Sequence, residues 1–87
     1  MTIEDLAKEL NSYYEIGLDR KDSNAFIQCF GIKYASYITQ NKIRPKDIIA
    51  NSELKPSYAR EIIKGMKLAK YVTLNKDFLD IVSCSDK

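Results

Sequence analysis

The sequence of 87 residues predicts an all-α fold, a compact bundle of about five helices. Three observations lead to this prediction. Apolar residues recur every three or four positions along most of the chain, which is the period of an amphipathic helix. Prolines and capping residues stand at the starts of these segments. The length allows one small hydrophobic core, so residues 1–87 are expected to form a single domain.

The first predicted helix begins at Thr2, because Thr2 and Asp5 have the spacing of a capping box. An apolar residue recurs at helical spacing behind them. Gly17 is expected to close this helix in a left-handed conformation. Tyr13 and Tyr14 are adjacent and cannot both face one core, so one of them is expected to be exposed or at an interface.

The second predicted helix covers about residues 24–41, with Asp22 or Ser23 as its N-cap. Its apolar stripe is broad, and Tyr34 and Tyr37 are expected in the core or at its edge. Gly31 lies inside this helix, where glycine lowers the helix propensity but permits another helix to pack closely.

Two prolines locate the third and fourth helices. Arg44 precedes Pro45, and proline suits the first turn of a helix, so a short third helix is expected at about 45–51. A tight polar turn follows. The fourth helix is expected to begin near Pro56 and to end near Gly65.

The segment after the fourth helix is compatible with a last helical turn or an extended piece, because "YVTL" (71–74) favours a strand. Leu68 would lie on the polar side of the fourth helix if that helix continued. Leu68, Tyr71 and Val72 are therefore expected to point back to the core. Asn75 is expected to cap a fifth helix at about 76–83.

On a helical wheel the fourth helix has one apolar and one polar side. Taking Ala59 as the origin, the other apolar residues fall within about 60° of it. The predicted buried side consists of Ala59, Ile62, Ile63 and Met66. The predicted opposite side consists of Ser57, Glu61 and Lys64, flanked by Arg60.

Charge is unevenly distributed along the chain. Residues 1–31 hold three basic and six acidic side chains, a net charge of −3, whereas residues 32–87 hold eleven basic and six acidic, a net charge of +5. Residues 42–70 alone account for a net charge of +5, with eight basic and three acidic side chains. This concentration is typical of a protein with one surface that meets phosphates.

The residue types argue against an enzyme or a metalloprotein. The chain has no histidine, which removes every mechanism based on that residue, and its two cysteines, Cys29 and Cys84, lack metal-ligand spacing. Cys29 is expected to be a small buried apolar residue and Cys84 a surface thiol. No phosphate-binding glycine loop and no nucleophile–base pair is present, so neither a cofactor nor a small-molecule substrate is expected.

The chain is expected to be cytoplasmic and not to interact with membranes. Its start, "MTIEDLAKEL", is acidic and amphipathic, unlike a signal or transit peptide. No apolar run approaches the length of a membrane span.

A short helix, a turn and a second helix within about twenty residues form a helix-turn-helix arrangement. In Xre and lambda-repressor-like domains, an apolar turn residue is followed five positions later by a core residue. A second core residue comes three positions after that, often with a closing glycine. Leu54, Ala59, Ile62 and Gly65 have this spacing, so residues 44–65 resemble that family.

Two positions depart from that pattern: Glu53 stands where glycine is usual in the turn, and Ile49 where the facing residue is usually small. A wider turn is therefore expected. A longer resemblance, carried by Phe30–Ala35 and Ser57–Val72, is to small bacterial helix-turn-helix-like proteins. It implies a DNA-binding domain whose helix-turn-helix core covers residues 44–67, and a role as a small bacterial, phage or plasmid transcriptional regulator.

The resemblance implies roles for the exposed side chains. The residues expected to face the major groove are Lys55, Ser57, Arg60, Glu61 and Lys64. The residues expected to contact phosphates are Arg44, Lys46, Tyr58 and Lys67. Arginine can pair with guanine and glutamate can accept a hydrogen bond from cytosine, so Arg60 and Glu61 are best suited to reading bases.

Other interpretations remain open. The charged face can simply be solvated, with Glu61 paired to Lys64 three residues later. A non-enzymatic adaptor, or an accessory subunit of a DNA-acting system such as restriction or defence, would bind a partner protein through the apolar and tyrosine-rich surface. A homodimer is possible, because one domain reads few base pairs, with the acidic first helix and the spare tyrosine as candidate surface.

Overall fold

The computed structural model describes residues 1–83, and these residues form five α-helices and no strand. The helices are α1 (Ile3–Asp19), α2 (Ser23–Gln40), α3 (Pro45–Ala50), α4 (Ala59–Leu68) and α5 (Lys76–Ser83). One 3-10 turn, Pro56–Tyr58, leads directly into α4. The prediction of an all-α bundle of five helices is confirmed. The predicted surface thiol, Cys84, lies outside the described residues.

The predicted helix starts are mostly confirmed by their capping groups. The Asp5 amide donates to Thr2 Oγ1 at 3.1 Å and the Thr2 amide donates to Asp5 Oδ2 at 2.9 Å, which completes the capping box. The hydrogen bond from the Thr2 amide, and then one from the Thr2 side chain, hold the pKa of Asp5 below its ordinary value. Pro45 occupies the first turn of α3, and Asn75 Oδ1 accepts from the Phe78 amide at 2.8 Å to cap α5.

The predicted end of α1 at Gly17 is wrong. The helix continues to Asp19, and Gly17 is buried inside it. A Cβ at this position would lie 2.7 Å from the Cα of Ser23, so glycine is needed because the start of α2 passes close by. The left-handed conformation occurs instead at Lys21, whose φ is 59°.

The core lies where α1 and α4 pack against α2, with α3 and α5 closing its edges. Its buried apolar side chains include Leu6, Leu10, Tyr13, Ile27, Phe30, Ile38, Ile48 and Ile62. Cys29 is half-buried rather than enclosed, and this burial raises the pKa of its thiol.

The tyrosines divide between the core and its edge. Tyr13 is buried, with its ring centroid 5.7 Å from that of Phe30, whereas Tyr14 is half-buried against Tyr58 at 5.3 Å. Tyr34 and Tyr37 are partly buried against the core, as expected.

α2 and α4 cross at two glycines. A Cβ at Gly31 would lie 3.0 Å from the Met66 amide nitrogen and closer still to the carbonyl oxygen of Ile62. A Cβ at Gly65 would lie 2.8 Å from the carbonyl carbon of Gln28 and closer to its oxygen. The prediction of close packing at Gly31 is confirmed, because the helix backbones touch without intervening side chains.

The predicted end of α4 at Gly65 is therefore wrong: the helix continues to Leu68, and Gly65 is one of its buried residues. The segment after α4 is a turn followed by irregular backbone. Leu68, Tyr71 and Val72 are 41%, 82% and 43% exposed and do not return to the core as expected.

Candidate nucleic-acid interface

The connection between α3 and α4 is held by hydrogen bonds and by buried apolar side chains. Ser52 Oγ donates to the Ile49 carbonyl at 2.7 Å and accepts from the Leu54 amide at 3.1 Å, while Ile49 and Leu54 are buried. The Glu53 amide donates to Asn11 Oδ1 of α1 at 2.9 Å. α1 therefore anchors the turn at Glu53, the position where Xre and lambda-repressor-like domains usually have glycine.

The start of α4 is supported by α1 as well. Pro56–Tyr58 is a 3-10 turn, so the α-helix proper begins at Ala59, slightly later than predicted. The half-buried ring of Tyr58 packs edge-on against Tyr14, and the Tyr14 hydroxyl raises the pKa of Tyr58 by hydrogen bonding.

The exposed side of α4 differs from the side that the sequence predicted. The buried residues of α4 are Ile62 and Gly65. They place the buried side of the helix about 80° from the predicted buried side on the helical wheel. Ile63, predicted to be buried, is 42% exposed. The reason is the crossing at Gly65, where the absence of a side chain lets α2 approach that side of the helix.

Five residues of α4 form what we call the outer face of the helix. They are Arg60, Ile63, Lys64, Lys67 and Leu68, all exposed. Three of the five are cations. They lie at i, i+4 and i+7 and so follow one stripe of the helix.

Glu61 does not share the outer face. Its Oε1 accepts from Gln28 Nε2 of α2 at 2.7 Å and its Oε2 lies 3.3 Å from Lys64 Nζ, with 16% of the side chain exposed. The hydrogen bond from Gln28, and then the contact with Lys64, hold the pKa of Glu61 below its ordinary value. Glu61 is therefore charged and bonded within the protein, as one of the alternative interpretations expected.

The other predicted base-reading residues are exposed. Arg60 and Lys64 lie on the outer face, and Lys55 and Ser57 are exposed just before and within the 3-10 turn. An open polar depression brings part of this set together. It is lined by Ser57, Tyr58, Arg60 and Glu61, and also by Asn24 of α2. Sequence reasoning missed Asn24, because no local signal connects the first turn of α2 with a segment more than thirty residues later.

The predicted phosphate-contacting residues lie in three places. Arg44 and Lys46 are exposed at the start of α3, where Arg44 Nε lies 3.0 Å from Asp47 Oδ2. Lys67 lies on the outer face of α4. Tyr58 is half-buried against Tyr14, so less of its surface is accessible than that of the three cations.

Two kinds of feature are absent from the described part of the chain. Residues 1–83 contain no group of three or more histidine, cysteine, aspartate or glutamate side chains that could hold a metal ion. None of the five helices is long and apolar enough to cross a membrane.

Comparison with known protein families gives a match over most of the chain. The model of a family described as HTH-like domain matches residues 2–75. No curated protein and no solved structure gives a match. The closer resemblance to Xre and lambda-repressor-like domains is not confirmed by this match and stays a prediction. The chain belongs to the HTH-like domain family, and a helix-turn-helix-like domain indicates DNA binding in general.

Proposed function

We propose that this protein binds double-stranded DNA sequence-specifically through the outer face of α4 and acts as a small transcriptional regulator. The observation that carries the proposal is the composition of that face. It holds Arg60, Lys64 and Lys67, while Glu61, the acid nearest to them in sequence, is bonded to Gln28 and Lys64. A helix with cations outside and its one carboxylate paired within the protein can approach phosphates with little repulsion.

Arg60 is the residue best suited to read a base. It is exposed in the first turn of α4, and a guanidinium can donate two hydrogen bonds to guanine O6 and N7. Lys64 and Lys67 follow along the same stripe. Lys55 and Ser57 precede the helix and can contact the edge of the groove. Glu61 is left out of the base-reading set here, because its carboxylate bonds already lie within the protein.

Lys46 and Arg44 are proposed to contact phosphates. Both are exposed at the start of α3, and phosphate contacts fix the orientation of the protein without reading sequence. Arg44 would have to exchange part of its ion pair with Asp47 for a phosphate oxygen, whereas Lys46 is exposed. Lys46 is therefore the better position for a test.

A second function, binding of a partner protein, is favoured by a separate observation. Leu68, Tyr71 and Val72 expose apolar surface at the end of α4 and in the segment that follows it. Such a surface suits an adaptor or an accessory subunit. The salt dependence of binding affinity distinguishes the two functions. Phosphate contacts make affinity fall steeply with salt concentration, whereas the affinity of an apolar interface barely changes.

The experiment that tests DNA binding is selection from a random duplex library at moderate salt, followed by sequencing. We expect one enriched motif, and a palindromic motif would indicate two half-sites bound by a dimer. Absence of enrichment, together with absence of binding at low salt, would exclude the proposal and favour the adaptor.

Two variants then separate base reading from phosphate contact. Arg60→Ala should remove about 1–3 kcal/mol of discrimination at one base pair and change non-specific binding much less. Lys46→Ala should weaken binding to all duplexes equally and lower the salt slope by about one. Both are measured on selected and scrambled duplexes at two salt concentrations. If both variants weaken all duplexes equally, the outer face only attracts phosphates and specific reading is refuted.

A further inference from the structure

The outer face of α4 has an apolar residue at each edge, Ile63 and Leu68, with three cations between them. Ile63 is 42% exposed, although the adjacent Ile62 is fully buried. On the helical wheel Ile63 lies about 60° from Arg60 and about 40° from Lys67. An exposed apolar side chain beside a basic stripe adds little to the core and leaves the face less charged than a lysine would.

A surface that meets DNA gives such a residue a specific role. In the major groove, the thymine C5-methyl group is the apolar feature that a side chain without donors or acceptors can recognise. Ile63 lies three residues after Arg60, a rise of about 4.5 Å along the helix. Base pairs are spaced about 3.4 Å apart, so the two side chains reach neighbouring steps.

We propose that Ile63 is a specificity-determining residue that contacts the methyl group of a thymine one or two base pairs from the guanine bound by Arg60. This inference rests on the proposed function, because it assumes that the outer face lies in the major groove. It adds to that function a preference for thymine over cytosine, and for thymine over uracil, at one position of the target.

The experiment replaces single thymines by deoxyuracil in the selected duplex, which removes the methyl group and leaves base pairing intact. Wild-type protein should lose about fourfold in affinity at one thymine, as expected for the loss of one buried methyl contact. Ile63→Ala should bind the thymine and uracil duplexes equally. Because Ile63 is exposed, this variant should fold, and circular dichroism checks that it does.

Leu68→Ala is the matched control. Leu68 is 41% exposed, nearly the same as Ile63, but lies about 140° away at the other edge of the outer face. This variant should keep the full difference between thymine and uracil.

The outcomes separate this inference from the proposed function. Specific binding by the wild-type protein with no loss at any thymine would overturn the role of Ile63 and leave the function standing. The same is true if Ile63→Ala keeps the uracil penalty, since another residue would then contact the methyl group. Failure to select any motif would refute the proposed function itself.

Discussion

Replacing Gly65 by alanine tests the packing that positions α4. In an unconstrained helix this substitution stabilises, because alanine has the higher helix propensity, by about 1 kcal/mol. In this protein the new Cβ would lie 2.8 Å from the carbonyl carbon of Gln28, against 3.4 Å for ordinary contact. The two helices must separate by at least 0.6 Å, the difference between these distances, and by more for the closer carbonyl oxygen.

The cost of this separation can be estimated. Both contacting groups are backbone and cannot rotate away, and a gap of about 0.5–1 Å removes a quarter to a half of each dispersion contact across the interface. Overpacking of a core costs about 1–3 kcal/mol, and we expect the upper end because Ile62 and Phe30 are fully buried near the crossing. After the gain in propensity, Gly65→Ala should destabilise the domain by about 2 kcal/mol.

Thermal unfolding followed by circular dichroism measures this effect. For a domain of this size, about 2 kcal/mol corresponds to a Tm lower by roughly 8–16 °C. Ala25→Gly is the control: Ala25 is exposed in the first turn of α2, so this variant reports helix propensity alone and should cost at most about 1 kcal/mol. A Tm of Gly65→Ala above that of the wild type would refute the backbone crossing at Gly65.

Two further predictions concern folding. Ile62→Asp should unfold the domain, because an unpaired buried carboxylate costs several kcal/mol out of about 5–15 available, whereas Ile63→Asp should still fold cooperatively, because Ile63 is exposed. Equal behaviour of the two variants in chemical denaturation would contradict the observed helix phase. Glu61→Gln should lower stability more at pH 7 than at pH 3.5. The lowered pKa of Glu61 means that its charged form stabilises the fold above its ordinary pKa of 4.5 and that this contribution is lost as the pH falls. If Glu61→Gln lowers the urea midpoint by the same amount at both pH values, the charge of Glu61 does not stabilise the fold.

The helix starts could be predicted because their signals are local. Thr2 and Asp5 exchange hydrogen bonds within one helical turn. Asn75 caps α5 by accepting from the amide of Phe78, three residues later. Proline restricts its own φ and the preceding residue, so Pro45 locates α3 without any tertiary information. Each of these expectations is confirmed.

The two glycines that were expected to end helices could not be interpreted from the sequence alone. Glycine suits both a helix end and a close helix crossing, and only the position of the neighbouring helix distinguishes them. Gly17 and Gly65 are both buried by the approach of α2. A wheel that counts only apolar side chains leaves Gly65 out of the buried side of α4 and therefore predicts Ile63 in the core.

Only part of the candidate site could be predicted, because some of its contacts depend on a distant helix. Arg60 and Lys64 were expected on the surface because charged side chains avoid burial, and both are exposed. The partner of Glu61 could not be foreseen, because Gln28 lies 33 residues away on another helix. The roles of these residues in DNA binding stay predictions.

Because α2 and α4 cross at their backbones, the residues that hold α4 in place differ from the residues that α4 exposes to a partner. Backbone contact at Gly31 and Gly65 fixes the helix on one side, while every residue of the outer face is excluded from the core. Exposed substitutions away from packed features usually change stability by less than about 0.5 kcal/mol. The outer face can therefore be varied almost independently of folding, so homologous chains that keep both glycines could acquire new recognition preferences without rebuilding the domain.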